Sequence, residues 1–565
     1  MSYKLSEIEE ELDKRAKELG ILSLPLRSVL TNIFGILDAL CYGNRLKGGT
    51  PRRQAGQALV SRLSYLLPIL LTKCDVESLG DGVLDAMKAF TLQDFAELQF
   101  LLQYGHYCEL MPAIHRKWYL VHEVANRSYS INHLSTDIAR FDWRDIVLSE
   151  TAMPQEPEID VAKYYDATYQ LADTAPNIDM GLFVSVIYSI KNEYIAGERE
   201  FLGISEEGFF NATGVAFETF RQFRAAWAAY SICCQLIAEM LFATTRFVPE
   251  SEKERLVAEA WEWIMPLIDA SFIDSLICSI ARLQGEEYGK LMRFFAVDAK
   301  ARTAPQAGDG FLPPIIKFGD GYLFSPQIVR TVMSTRNLLY VKNKLAPDSF
   351  SRSIANEMEP ALIAAAVKIF QQIPQLVVVP NVCWERGEID ILVFNPDENA
   401  ALQIQAKAAI PPEGARMTRA METRIAEAFS QLERLHQENS TTIDELISQA
   451  VKRKVSAVTV CDAILTSSCF GTSTVWQRMK GMAALNLPLL AAVIGEIRSG
   501  NEQEPVARLA AMSYEILDRW CNDLSPGWAF EKLTIDDVTL EVPVLELDPK
   551  YLRDIRNVFQ QALDA

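Results

Sequence analysis

The sequence predicts a multidomain α+β protein in which a large all-α domain precedes a smaller α/β domain. A chain of 565 residues is too long for one hydrophobic core and should divide into roughly two to four domains. Helical periodicity dominates residues 1–300, whereas strand-like runs recur between residues 312 and 547. Apolar residues make up 49% of the chain and charged residues 23%, which is the balance of an ordinary globular protein.

The first predicted domain covers residues 1–300. Apolar residues recur at helical spacing in several long segments, and prolines separate these segments. The predicted helices cover residues 5–19, 57–72, 82–104, 177–198 and 217–245. The most apolar run, residues 225–247, is interrupted by Gln235, Glu239 and Arg246. It therefore predicts a buried helix and no membrane association.

Strand patterns begin after this domain. Residues 301–345 are predicted to form a β-rich connector, with Gly319-Asp320-Gly321 as a hairpin turn. Residues 346–500 predict the α/β domain, and residues 501–565 a C-terminal α/β extension. Within the α/β domain the predicted elements are a helix at 353–370, strands at 376–379, 389–394 and 401–406, a helix at 418–437, and strands at 455–465 and 487–494.

Polar residues occur at one end of the hairpin formed by strands 389–394 and 401–406. Asp390 lies in the first strand, and Gln405 and Lys407 end the second. Because strand side chains alternate between faces, Gln405 and Lys407 point the same way and Ala406 points the other way. Charges set into apolar strands are unfavourable unless they are paired or bound to a metal ion. Asp390 and Gln405 carry hard oxygen donors, which suit Mg²⁺ or Mn²⁺ rather than zinc.

This set of residues resembles the PD-(D/E)XK nuclease superfamily, which has the restriction-endonuclease-like fold. The family pattern is a helix with a Glu, a strand, a strand with the Asp, a strand with (E/Q)-x-K, and a helix. Here Glu359, Asp390 and Gln405-Ala406-Lys407 follow that order, and Gln431 lies in the next helix. The Gln form of the last motif is similar to the Mrr-type restriction endonucleases. The resemblance covers roughly residues 350–480 and implies a mixed central sheet.

The resemblance also implies a catalytic set. Glu359, Asp390, Gln405 and Lys407 would be catalytic, and the Ala406 carbonyl would join Asp390 and Gln405 as a metal ligand. Glu359 would hold the metal through water or bind a second ion. Glu388 shares the face of Asp390 and is a competing ligand.

Basic residues near these motifs are candidates for contacts with the DNA backbone. They are Arg416, Arg419, Arg424, Lys452, Arg453 and Lys454. The whole chain has a net charge of −19, most of it outside the nuclease-like segment. Such an acidic chain should have weak non-specific affinity for DNA.

These observations predict a Mg²⁺-dependent endonuclease that cleaves DNA, with RNA as an alternative substrate. By analogy with the family, the expected setting is restriction or defence against foreign DNA. The competing hypothesis is a catalytically inactive nuclease-like fold that acts as a scaffold, with the helical domain binding a protein partner. The 10 cysteines form no CxxC pair, and the N-terminal segment lacks an apolar core. We therefore expect a cytoplasmic protein without a secretion signal.

Overall fold

The computed structural model describes residues 2–564 except 43–52, 78–89, 154–155, 199–200, 202, 266, 413, 501 and 503. Its helices, in chain order, are α1 (Ser2–Glu18), α2 (Leu26–Tyr42), α3 (Arg53–Lys73), α4 (Leu92–His115), α5 (Thr136–Ala152), α6 (Tyr165–Thr174), α7 (Met180–Gly197), α8 (Glu206–Thr213), α9 (Phe217–Thr244), α10 (Glu250–Ile264), α11 (Ala270–Ala281), α12 (Gly285–Phe295), α13 (Pro326–Val332), α14 (Thr335–Leu345), α15 (Pro347–Ser353), α16 (Ala355–Phe370), α17 (Gly414–His436), α18 (Ser440–Val451), α19 (Ser473–Arg478), α20 (Leu487–Gly500), α21 (Pro505–Leu524) and α22 (Pro549–Asp564).

The strands form three sheets and confirm an α+β protein with a large helical N-terminal region. They are β1 (Tyr119–Ala125), β2 (Ser128–His133), β3 (Leu267–Asp269), β4 (Ala296–Asp298), β5 (Ile315–Phe318), β6 (Gly321–Phe324), β7 (Val377–Trp384), β8 (Gly387–Asn395), β9 (Ala400–Lys407), β10 (Thr459–Thr466), β11 (Ala483–Asn486), β12 (Trp528–Ile535) and β13 (Val538–Leu545).

Helix α9 is the centre of the N-terminal region. It packs against α6, α7, α10, α11 and α13. By length and composition this helix is apolar enough to cross a membrane, but 89% of the relevant window is buried inside the protein. Its polar residues have partners there, since Arg224 pairs with Glu198 and Gln235 accepts a hydrogen bond from Arg330 at 2.7 Å. The predicted buried core helix is confirmed.

Two predictions for the helical region need correction. The region is not all-helical, because β1 and β2 form an antiparallel hairpin within it. Strand β2 pairs in parallel with β13 from the C-terminal extension, which gives a sheet of order β1-β2-β13-β12. The predicted helix at 82–104 falls partly outside the described residues, and the helix seen there is α4.

The predicted hairpin in the connector is confirmed. Strands β5 and β6 pair antiparallel around Gly319-Asp320, with Phe318 opposite Gly321. Gly319 has a φ of +57°, a left-handed conformation that glycine adopts without steric cost. Two short strands flank this hairpin, and the resulting sheet has the order β3-β6-β5-β4.

The third sheet carries the residues singled out by the sequence. Its order is β11-β10-β9-β8-β7, so neighbours in the chain are neighbours in space. Strand β8 is antiparallel to β7 and β9, whereas β10 and β11 run parallel to β9. Helices α16, α17, α18 and α21 all contact this sheet.

Segment 487–494 is not the last strand of this sheet, as the sequence predicted. It begins helix α20, and the preceding residues form the last strand, β11. Residues Leu487, Leu489, Leu490 and Ile494 are all buried. When every residue of a segment is apolar, the sequence shows no alternation of polar and apolar residues. Periodicity then cannot distinguish a buried helix from a buried strand.

Candidate active site

The hairpin of β8 and β9 opens at the end where the polar residues lie. Backbone pairing runs from Asn395–Ala400 to Ile391–Ile404. Beyond that pair, side chains replace the backbone partners. The Ala406 N–H donates to Asp390 Oδ2 at 2.7 Å, and Gln405 Nε2 donates to the Glu388 carbonyl at 2.7 Å. The two strands are therefore held at this end by the candidate site residues themselves.

Side-chain alternation places Gln405 and Lys407 on the same face of β9. Leu392, Phe394 and Ala401 pack in one apolar cluster with Leu435 of α17. The residues that alternate with them along the two strands pack in the main core, namely Ile391, Val393, Ala400 and Leu402. In β9, Gln405 and Lys407 point to the same side as Ala401. In β8, Ile389 packs in the same cluster as Leu392, so the alternation is interrupted around Asp390.

Lys407 lies between two carboxylates. Its Nζ is 3.6 Å from Glu359 Oε2 and 3.9 Å from Asp390 Oδ2. Lys407 is 7% exposed and Asp390 is 6% exposed, whereas Glu359 is partly exposed at the start of α16. A buried ammonium requires such partners, because an uncompensated buried charge is strongly destabilising. The structure thus brings Glu359, Asp390 and Lys407 together.

Burial raises the pKa of Asp390 to about 6. The Ala406 N–H bond and the Lys407 ammonium favour the ionised form and limit this rise, while Glu359 and Glu388 add to it. Burial and the two neighbouring carboxylates therefore outweigh the single Lys407 ammonium in their effect on this pKa. A cation bound beside it would favour ionisation.

Gln405 presents a buried oxygen without a partner. The side chain is fully buried, and its Nε2 must be the atom facing the Glu388 carbonyl because only the nitrogen can donate. That contact directs Oε1 elsewhere, and among the described residues Oε1 has no hydrogen-bond partner. A buried acceptor left unpaired is unfavourable unless an ion or water completes it.

This donor set fits Mg²⁺ or Mn²⁺. Asp390 and Gln405 supply hard oxygen atoms, and the carbonyl of Ala406 directly follows Gln405 in the chain. In the described part of the chain, no cluster of three or more His, Cys, Asp or Glu side chains is arranged to hold a metal ion. The donor set of Asp390, Gln405 and Ala406 combines one carboxylate with an amide and a backbone carbonyl, so it is a different kind of site.

Two further acids compete for roles at the site. Glu357 points away from it, since its Oε2 accepts a hydrogen bond from the Ser205 hydroxyl at the start of α8. Glu388 is exposed two residues before Asp390, opposite Cys383 of β7. It lies close enough to raise the pKa of Asp390, which leaves it available as an outer ligand.

The predicted DNA-contact residues divide into separate groups. Arg416 is held by Asp309 at 2.5 Å, and Arg424 donates to the Ala408 carbonyl just beyond Lys407. Arg419 is exposed on the same helix.

Residues Lys452, Arg453 and Lys454 lie at the far end of the sheet. They follow α18, and Asn399 in the turn between β8 and β9 bonds the Ser456 carbonyl just after them. This turn is separated from Lys407 by the length of β9, roughly 20 Å at about 3.3 Å per residue. The structure does not bring this basic run to the candidate site.

Sequence reasoning missed one residue beside the site. Thr466 ends β10 directly opposite Lys407, and its buried Oγ1 has no hydrogen-bond partner among the described residues. Gln431 Oε1 of α17 is a similar buried acceptor. The sequence shows a hydroxyl residue at the end of the apolar strand Thr459–Thr466. Its position beside Lys407 follows only from the parallel pairing of β10 with β9.

Comparison with known proteins adds no relative. No family model and no curated protein matches this sequence, and no solved structure matches this fold. The candidate site therefore stands on its geometry and on the residues themselves.

Proposed function

We propose that this chain is a metal-dependent nuclease that hydrolyses phosphodiester bonds, with DNA as the substrate. The observation that carries the proposal is the unpaired buried Oε1 of Gln405 beside the Asp390–Lys407 pair. Further support comes from the element order α16-β7-β8-β9-α17, which follows the PD-(D/E)XK pattern with Glu359, Asp390 and Lys407 in their expected elements. We therefore propose a restriction-endonuclease-like domain around this sheet.

The oxygen atoms of Asp390, Gln405 and the Ala406 carbonyl would hold Mg²⁺ or Mn²⁺. Glu359 would act through a bound water or a second ion, and Glu388 is the alternative outer ligand. The bound ion would supply Lewis acidity, which makes water a stronger nucleophile and offsets charge on the phosphate.

Lys407 acts on the reacting groups directly. Its ammonium is fixed by Glu359 and Asp390, so it needs no reorganisation when a substrate binds. It orients the attacking water and stabilises the negative charge that develops on the phosphorane. Because its stem is buried in β9, the charge stays at one place.

We propose a cytoplasmic setting and a role in restriction or defence against foreign DNA. Cys74 and the eight cysteines that follow it in the chain are free thiols, which suits a reducing compartment. The defence role rests on resemblance to the Mrr-type enzymes alone.

The test is cleavage of plasmid DNA, single-stranded DNA and RNA by the purified chain. We expect cleavage with Mg²⁺ or Mn²⁺, none with excess chelator, and binding without turnover in Ca²⁺. Lys407→Met keeps the buried stem and removes the charge, so it should fold while the cleavage rate falls about 10²–10³-fold. Cleavage that survives excess chelator would remove the mechanism.

A non-catalytic scaffold is the second candidate, and the charge distribution favours it. The chain has a net charge of −19, and Arg416 and Arg424 are already bonded within the protein. A scaffold would show no cleavage of any nucleic acid with either metal. Lys407→Met would then weaken binding of a protein partner instead.

A further inference from the structure

A cavity of about 450 Å³ lies in the N-terminal region, among α7, α9 and the residues that follow α11. Tyr188 and Lys191 come from one helix, Gln222 from the second, and Arg282 from the third segment. None of these residues belongs to the candidate active site. The cavity volume lies within the range of small-molecule binding sites.

Lys191 is a buried cation at this cavity. It is 3% exposed, and its Nζ donates to Gln222 Oε1 and to the Ile280 carbonyl, each at 3.0 Å. An ammonium has three donors, so these two bonds leave one for another acceptor. Within the described ranges no carboxylate lies within 4.0 Å of Nζ. Burial, with help from Arg282, lowers the pKa of Lys191.

Arg282 and Lys191 both lie over the aromatic ring of Tyr188. Its guanidinium donates to the Tyr188 hydroxyl at 2.9 Å and lies 5.9 Å from the ring centre, while Lys191 Nζ lies 4.7 Å from it. Arg282 follows α11 in a left-handed conformation, a position where glycine is the usual residue. Across the described residues it also has no carboxylate within 4.0 Å.

An acid in the cavity lining does not neutralise this pair. Glu218 lines the cavity, but its carboxylate accepts hydrogen bonds from Arg221 and Gln222, each at 2.7 Å. It acts on Lys191 only through space. Two cations therefore meet at a cavity in a chain whose net charge is −19. A buried cation without a counter-ion is unfavourable, and an anionic ligand would relieve it.

We propose that this cavity binds a small phosphate-bearing molecule, with Lys191 and Arg282 contacting its phosphate group. A phosphate matches two cations better than a single carboxylate does, because it carries up to two charges. The guanidinium fork bonds two of its oxygens, and the ammonium acts as a point charge on the third. Asn192 and Thr219 in the lining offer polar contacts to the remainder of the ligand.

A purely structural role for Lys191 makes a different prediction. In that case the ammonium only ties α7 to α9 and α11 through Gln222 and the Ile280 carbonyl. Added phosphate compounds would then leave the protein unchanged, and Arg282 would not matter for binding.

The test is titration of the full chain with sodium pyrophosphate, AMP and adenosine at constant ionic strength, without metal or nucleic acid. Binding is followed by calorimetry and by the thermal unfolding temperature. We expect at least one phosphate compound to bind and raise the unfolding temperature, and adenosine to do neither. Arg282→Gln and Lys191→Met should each weaken binding about tenfold or more, as loss of a charged hydrogen bond does.

Lys253→Met is the matched control, since it removes a partly exposed lysine of α10 that pairs with Glu250 and lies outside the cavity lining. It should bind as the parent does. If Lys191→Met does not fold, the binding measured for Arg282→Gln is sufficient to test the proposal. The proposal is overturned if neither phosphate compound binds, or if Arg282→Gln binds both as well as the parent. Because no cleavage is measured, failure here is separate from failure of the nuclease.

Discussion

The fold makes the carboxyl group of Asp390 a weaker acid than that of an ordinary aspartate. Its pKa is about 6 in the folded chain, against about 3.9 for an ordinary aspartate. The folded protein therefore binds this proton more tightly than the unfolded chain does. The resulting stability is present at low pH and is lost as the pH rises from about 4 through about 6.

Asp390→Asn should remove this loss of folding stability at higher pH. The amide oxygen can still accept from the Ala406 N–H, but it carries no charge that must be buried. Without metal, the variant should be more stable than the parent at pH 8 by up to about 3 kcal/mol and similar to it near pH 4. Urea unfolding between pH 4 and 8 in chelator measures this difference. Parallel pH profiles for the two proteins would contradict it.

Glu359 and Glu357 should differ in what they control. Glu359→Ala removes the carboxylate that contacts Lys407 and should reduce cleavage severely. Glu357→Ala removes the bond to Ser205, so it should lower thermal stability and leave cleavage nearly unchanged. Cleavage rates and unfolding temperatures of both variants make the comparison. The reverse pattern would transfer the catalytic acid to Glu357.

At the scale of elements, the turn of the β8–β9 hairpin caps helix α21. Glu398 lies in its turn and accepts the backbone N–H groups of Val506 and Ala507 at the start of α21. A carboxylate at a helix N-terminus satisfies unpaired donors and interacts favourably with the helix dipole. The turn is at the opposite end of the hairpin from Lys407.

Glu398→Ala should therefore separate stability from activity. Losing this cap should lower the free energy of unfolding by about 1 kcal/mol. The cleavage rate should stay the same, because the site lies roughly 20 Å along the strands. Chemical denaturation and a cleavage assay on the same preparation test this. A fall in cleavage as large as that of Lys407→Met would show that the turn controls the site.

The hairpin was predictable because its signals are local. A period of two and the Asn395–Asn399 turn placed Asp390, Gln405 and Lys407 at one end. The parallel pairing of β2 with β13 was not predictable, because the two strands are about 400 residues apart in the sequence. Bonds such as Glu357 to Ser205 and Arg416 to Asp309 join segments more than 100 residues apart. Local periodicity contains no information about such pairs.

At the scale of the whole molecule, negative charge limits contact with nucleic acid. Of the basic residues predicted to contact phosphates, Arg416 and Arg424 are bonded within the protein, and the run at 452–454 lies at the far end of the sheet. Of the remaining cations, Arg419 is exposed on α17, and Lys407 belongs to the candidate site. The number of phosphate contacts should accordingly be small.

DNA affinity should depend only weakly on salt. Two contacts give a slope of about −2 in log affinity against log salt, since each contributes about 0.9. Arg419→Gln should reduce the magnitude of this slope by about one, whereas Lys452→Gln should leave it unchanged. Binding measured in Ca²⁺ over a range of salt concentrations tests both. A slope near −6, or a change with Lys452→Gln, would mean that the far basic run binds DNA.

The parallel pairing of β2 with β13 has a consequence for biosynthesis. The ribosome makes β13 about 400 residues after β2, a delay of roughly 20–80 seconds at about 5–20 residues per second. Until then the β2 edge has no partner and can pair with another nascent chain. Glu359, Asp390, Gln405 and Lys407 are all translated before the delay ends. A growing chain therefore contains every residue of the candidate site while its first sheet is still incomplete.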